Sequence, residues 1–181
     1  MNAMDERLLS GLYADRYELT MALAYWRSGR AEEPAVFDFF FRKAPFGGGF
    51  AVFAGLATLL EALEGLRYSD EDLEFLEKDG FPGDFLEYLA SFRFRGSLLA
   101  PAEGEVVFPL ETVVRVEGGL LEALVLETMV LNVLNFQTLI ATLPAEHRRL
   151  ENPHIYKVGL SPRLRDLRDD WLQQNRMEME P

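Results

Sequence analysis

Two stretches of this sequence carry residues that could meet a small anion or an aromatic acid. The first runs Phe37-Asp38-Phe39-Phe40-Phe41-Arg42-Lys43-Ala44-Pro45-Phe46-Gly47-Gly48-Gly49-Phe50 and continues through Ala51-Val52-Phe53-Ala54-Gly55-Leu56. The paired cations Arg42 and Lys43 lead into three glycines. Successive exposed N–H groups of a glycine turn can form a concave anion site. The same residues also read as a strand, a tight turn and a helix without a ligand, because a glycine turn alone is weakly specific. The second stretch centres on Tyr17. It falls in the first turn of a predicted helix, where free N–H groups and the helix dipole favour negative charge. A tyrosine there can stack on a planar ligand whose carboxylate points at the helix, or it can simply be core.

Much other chemistry is excluded. The chain has no cysteine, so disulfides, zinc–thiolate sites and thiol nucleophiles are impossible. Its two histidines, His147 and His154, have no H-E-x-x-H and no carboxylates at ligand spacing. There is no G-x-S-x-G, no P-loop and no G-x-G-x-x-G after a strand. The 30 Asp and Glu outnumber 18 Lys and Arg, for a net charge of −12. Such an acidic chain is a poor partner for nucleic acid or an anionic membrane, although a local cationic pocket would still suit a small anion. At 181 residues, 49% of them hydrophobic, the chain can build one full core. Met1 to Leu12 is charged and lacks the apolar run of a signal peptide, so the expected compartment is the cytoplasm.

The elements that must position these residues follow from periodicity. Asp15 stands where an N-cap would stand, and Arg16 to Arg27 has helical spacing up to Gly29. Val36 to Arg42 reads as a strand buried on both faces and ended by Pro45. Ala51 to Gly65 reads as a helix. Ser69 caps a helix from Asp70 to Lys78, Gly80 to Gly83 is a turn, and Asp84 to Phe92 is a short helix. Arg95 to Ala100, Glu105 to Phe108 and Val113 to Glu117 are antiparallel strand material, with a turn at Pro101 to Gly104. Gly119 to Thr142 reads as the longest helix, ended at Leu143-Pro144. Glu122 and Glu127 argue against its crossing a membrane. Thr128, Asn132, Asn135, Thr138 and Thr142 form one polar stripe on it, which must find partners in protein or ligand. An extended Ile155 to Val158 and a helix opened by Ser161-Pro162 close the chain. The expected fold class is α+β, helices with a mostly antiparallel sheet and no visible catalytic set.

Three blocks together resemble the N-terminal part of the nicotinate phosphoribosyltransferase family, whose reaction starts salvage of nicotinic acid into NAD. The first, Ala14-Asp15-Arg16-Tyr17-Glu18-Leu19-Thr20-Met21-Ala22, is close to the family's Thr-Asp-x-Tyr-x-x-Thr-Met-Ala. The second is Phe39 to Leu56. The third runs from Glu127-Thr128 to Asn135-Phe136-Gln137-Thr138-Leu139-Ile140-Ala141-Thr142. Their order and spacing make the match specific over roughly residues 8 to 142. Two departures stand out: Ala14 replaces a threonine, and Arg16 replaces an apolar residue.

The resemblance implies residues 1–143 as an N-terminal α+β domain, normally packed on an α/β barrel, with active sites near a homodimer interface. It implies a reaction of nicotinate with 5-phosphoribosyl-1-pyrophosphate, coupled to ATP hydrolysis with Mg²⁺, and no nucleic-acid or membrane partner. Tyr17 maps onto the tyrosine that stacks on nicotinate, while Asp15 and Arg42 match motif positions that line the site. Residues 144–181, with Arg148-Arg149-Leu150, Asn152-Pro153-His154 and Val158-Gly159-Leu160-Ser161, resemble the family's extreme C-terminal segment. The phosphorylated histidine and the phosphate loops of the barrel have no counterpart, and His154 belongs to the tail motif. The sequence therefore reads as an internally shortened member with no assigned catalytic residue. It could be inactive alone, a dimerising or interacting remnant, or a small aromatic-acid binder. The remnant reading expects an exposed apolar patch along Val125 to Ile140.

Overall fold

The computed structural model describes residues 10–150, with side chains as far as residue 145. His147, His154, the extended stretch at 155–158, the last helix and the tail motif lie outside the described side chains.

The first helix, α1 (Arg16–Arg27), has the expected bounds, with Asp15 as N-cap and Gly29 leaving it at φ 75°. Strand β1 (Pro34–Phe39) follows, then a single 3₁₀ turn at Pro45–Gly47 and the two-residue strand β2 (Ala51–Val52). Three helices come next: α2 (Leu56–Gly65), α3 (Asp70–Lys78) and α4 (Gly83–Ala90). Strands β3 (Ser97–Leu99), β4 (Val106–Val107) and β5 (Val114–Gly119) lead into α5 (Leu120–Val125) and α6 (Glu127–Leu150). One antiparallel sheet has the order β1-β5-β3, with Phe37 opposite Val116, and a second pairs β2 with β4. The α+β expectation holds among the described residues. The core gathers Phe53, Phe85, Leu59, Leu76, Leu89, Leu121 and Met129 between the helices and the larger sheet.

Ser69 caps α3 as its sequence position predicts. Its hydroxyl accepts from the Asp72 amide at 3.1 Å, and its amide donates to Asp72 Oδ2 at 2.9 Å. The reciprocal pair satisfies two backbone donors at once. Arg16, unusual for its motif position, pairs on the surface with Asp79 at 2.8 Å.

Several expectations need correction. The first strand ends at Phe39, not Arg42, because β5 starts at Val114 and offers no ladder partner beyond it. Only one of its faces is buried: Val36 is 57% exposed, and Phe40 beyond the strand is 43% exposed. Pro45 opens the 3₁₀ turn instead of ending the strand. The helix expected from Ala51 begins at Leu56, because Ala51 and Val52 pair with Val107 and Val106. Gly55 separates the two at φ 108°, a left-handed conformation that needs no Cβ.

The long helix is also two helices. It breaks at Leu126 and then runs through Pro144 to Leu150. Proline removes one N–H from a helix and crowds the preceding turn, at a cost of roughly 3 kcal/mol. Here Pro144 is buried, and Thr142 and Thr138 tie the same stretch to the chain after β2. That packing outweighs the local penalty.

Candidate functional site

The corner around Tyr17 is built from two helix ends. The Glu18 carboxylate is fully buried and accepts three hydrogen bonds: from the Asp15 amide at 3.2 Å, the Thr128 amide at 3.1 Å and the Thr128 hydroxyl at 2.7 Å. The Asp15 amide also reaches Thr128 Oγ1 at 3.3 Å. One side chain therefore satisfies backbone donors at the start of both α1 and α6. Burial raises the Glu18 pKa above the usual carboxylate range, opposed by the hydrogen bonds from Thr128 and Asp15.

Tyr17 rides on the first turn of α1, as expected, and is 49% exposed. Its phenol is pushed up to about 12, first by desolvation and then by the nearby Glu127 carboxylate. A neutral phenol with much of its ring open can stack on a planar ligand. Asp15 stands beside it, exposed.

Arg42 is exposed in the segment after β1, and among the described residues no hydrogen bond or ion pair joins it to Asp15 or Tyr17. The chain that follows the glycine turn is anchored where Val52 meets Thr142. Asp15 and Tyr17 thus share the start of α1, whereas Arg42 stands on a different segment.

The polar stripe on α6 divides. Thr128, Thr138 and Thr142 find protein partners, with Thr138 accepting from the Ala54 amide at 3.2 Å and donating to the Ala54 carbonyl at 3.1 Å. Asn132 instead lines an open pocket of ≈ 390 Å³ with Tyr13, Thr58, Val133, Phe136 and Gln137. The Gln137 Oε1 atom is buried there without a hydrogen-bond partner. The apolar patch expected from Val125 to Ile140 is present in part: Leu131, Phe136 and Leu139 are exposed, whereas Val125, Val130, Val133 and Leu134 are buried.

Sequence reasoning missed Glu18 and the pairing of Glu127 with Tyr17. Asp15 and Glu18 stand three apart, the spacing of a capping box, and that signal would have found Glu18. No local pattern joins Glu127 to Tyr17.

A family model for the nicotinate phosphoribosyltransferase N-terminal domain matches residues 12–135, and one for the C-terminal domain of the same enzyme matches residues 134–168. The chain is 48% identical over 132 residues to the nicotinate phosphoribosyltransferase of Bacillus subtilis, covering 72% of this chain and 27% of the relative. It is 41% identical over 155 residues to that of Caenorhabditis elegans, covering 82% of this chain and 27% of the relative. The chain thus spans little more than a quarter of the length of these relatives. The crystal structure of human nicotinic acid phosphoribosyltransferase superposes with a TM-score of 0.71 at 39% identity, over 77% of this chain and 29% of that one. Nicotinate-nucleotide pyrophosphorylase from Pyrococcus furiosus shares the fold at a TM-score of 0.55 and 20% identity, over 77% of this chain and 28% of that one.

Proposed function

The chain belongs to the nicotinate phosphoribosyltransferase family, and from that premise we propose that it serves NAD salvage by presenting Tyr17 to nicotinate. One observation carries the reading: a half-open tyrosine ring in the first turn of a helix. The pyridine ring would lie on the phenol face.

Electrostatics decide what else the site needs. The groups around Tyr17 are acidic: Asp15, Glu18 and Glu127. A bound carboxylate requires a cation, and the one beside Tyr17, Arg16, is already paired with Asp79. Arg42, which the resemblance assigns to the site, is the candidate, supplied within a homodimer by the second copy.

The full reaction implied by the resemblance also takes 5-phosphoribosyl-1-pyrophosphate, ATP and Mg²⁺. Among the described residues no group of three or more His, Cys, Asp or Glu could hold a metal ion. The described side chains therefore make no Mg²⁺ cage of their own, and the ion would come bound to the substrate phosphates. We propose that this chain, shortened within, binds nicotinate in the cytoplasm without turning it over alone, and engages neither nucleic acid nor membrane.

The test is pyrophosphate release by purified protein given nicotinate, phosphoribosyl pyrophosphate, ATP and Mg²⁺, with calorimetric nicotinate binding alongside. Binding lost in both Tyr17→Ala and Arg42→Ala, and partly restored on mixing the two variants, supports the shared site. Nicotinate-dependent release abolished by Tyr17→Ala would mean the chain is itself a catalyst. A folded sample that neither binds nor releases overturns the reading.

A second reading is a non-catalytic interaction module. It is favoured by the exposed Leu131, Phe136 and Leu139 beside a pocket with an unpaired acceptor. It predicts concentration-dependent association by light scattering that Phe136→Asp abolishes.

A further inference from the structure

We infer that Glu18 is a positioning residue: its carboxylate locks the first turn of α1 to the first turn of α6, and so fixes where the Tyr17 ring, one residue away on α1, stands relative to α6. The inference rests on the Tyr17 reading for its functional meaning, but its geometry stands independently.

A fully buried carboxylate is costly unless every lone pair is used. Glu18 uses both oxygens on different elements. Oε2 takes the Asp15 amide at the start of α1, and Oε1 takes the amide and hydroxyl of Thr128 at the start of α6. The Asp15 amide closes the ring onto Thr128 Oγ1. The residues adjoining this ring are the candidate site. Asp15 and Tyr17 flank Glu18 on α1, and Glu127 precedes Thr128 on α6.

Three alternatives fall short of this arrangement. An apolar side chain would fill the space but leave the Thr128 amide unpaired and the Asp15 amide with only its 3.3 Å bond to Thr128 Oγ1. Glutamine would offer one acceptor oxygen for three donors and place an NH₂ against one of them. Aspartate is shorter by a methylene and could not span both helix ends. A carboxylate on a two-carbon stem suits the task of holding two helix ends at a fixed separation. That separation fixes how Tyr17, beside Glu18, stands relative to Glu127, beside Thr128.

The experiment uses the full chain and compares wild type, Glu18→Gln, Tyr17→Ala and the double variant. Nicotinate affinity is measured by calorimetry, and the tyrosine ring resonances are followed by NMR without ligand, Tyr17 being assigned through Tyr17→Phe. Glu18→Gln is expected to remain cooperatively folded, to shift or double the Tyr17 ring resonance, and to weaken nicotinate binding about tenfold. In the Tyr17→Ala background the same substitution should change affinity by less than about twofold, because the two residues act as one unit. Additive losses, or a Tyr17 resonance unmoved by Glu18→Gln, would overturn the inference. Should wild type fail to bind nicotinate, the ligand reading falls while the ring resonance still decides the role of Glu18. If Glu18→Gln does not fold, Thr128→Val tests the same ring from the other helix, with the same outcomes.

Discussion

The hydroxyl of Thr142 accepts a hydrogen bond from the backbone N–H of Val52 at 2.9 Å and donates its own proton to the Thr138 carbonyl at 2.6 Å. A side chain late in α6 thus completes the hydrogen bonding of a strand 90 residues earlier. Thr142→Val keeps the shape and leaves the Val52 amide buried and unpaired. The expected loss is about 1–3 kcal/mol in urea unfolding. Thr142→Ser, which keeps the hydroxyl, should lose much less, and equal losses would refute the role assigned to that hydroxyl.

Gly55 turns the chain from β2 into α2 at φ 108°, and a Cβ there would sit 3.2 Å from the Val133 carbonyl oxygen. Both the backbone angle and the close approach to α6 oppose a side chain. Gly55→Ala is expected to cost about 1–3 kcal/mol, read as a drop in the thermal midpoint. An unchanged midpoint would show that the turn relaxes freely.

Asp38 and Arg115 face each other across β1 and β5 in a two-pronged pair at 2.8 and 3.0 Å. The hydrogen bond and charge of Arg115 hold the Asp38 pKa below its ordinary value of 3.8. The folded state therefore binds fewer protons than the unfolded state in that range. The stabilisation is present above about pH 4 and disappears as pH falls through the folded value. Wild type should melt above Asp38→Asn at pH ~6, and the two curves should converge as pH falls through the lowered value in the folded state. Parallel curves would contradict the pairing.

Tyr17 contributes a ring face and a hydroxyl, and the two can be separated. Tyr17→Phe keeps the stacking surface and removes the hydroxyl that lies near Glu127. Nicotinate binding should weaken by no more than about tenfold in Tyr17→Phe and be lost in Tyr17→Ala, since stacking is worth roughly 0.5–1.5 kcal/mol beyond area burial. Equal losses in calorimetry would assign the effect to the hydroxyl.

Local chemistry in the sequence was enough to place α1 and α3 at their observed bounds, because each has a capping residue, acids in its first turn and a glycine or polar stop. It was also enough to locate β3, β4 and β5 between their prolines and glycines. It misread Ala51 and Val52, whose apolar run suits either a strand or a helix, because the deciding partner, Val106-Val107, lies far along the chain. Pro144 was misread for a related reason: a local breaker was overruled by burial. The site divided in the same way. Tyr17 and Asp15 are legible from a helix start and a motif, whereas their relation to Glu127 and Thr128 exists only once α6 is folded against α1. Arg42 carries a motif signal, but among the described residues no hydrogen bond or ion pair joins it to Tyr17.

The threonine ties between α6 and the chain after β2 also bear on how the molecule opens. Two-residue strands such as β2 and β4 cannot protect their amides by pairing alone. The Val52 and Ala54 amides are instead held by Thr142 and Thr138. In amide hydrogen exchange they should therefore report the slow opening of α6, making this small sheet part of a helix's cooperative unit.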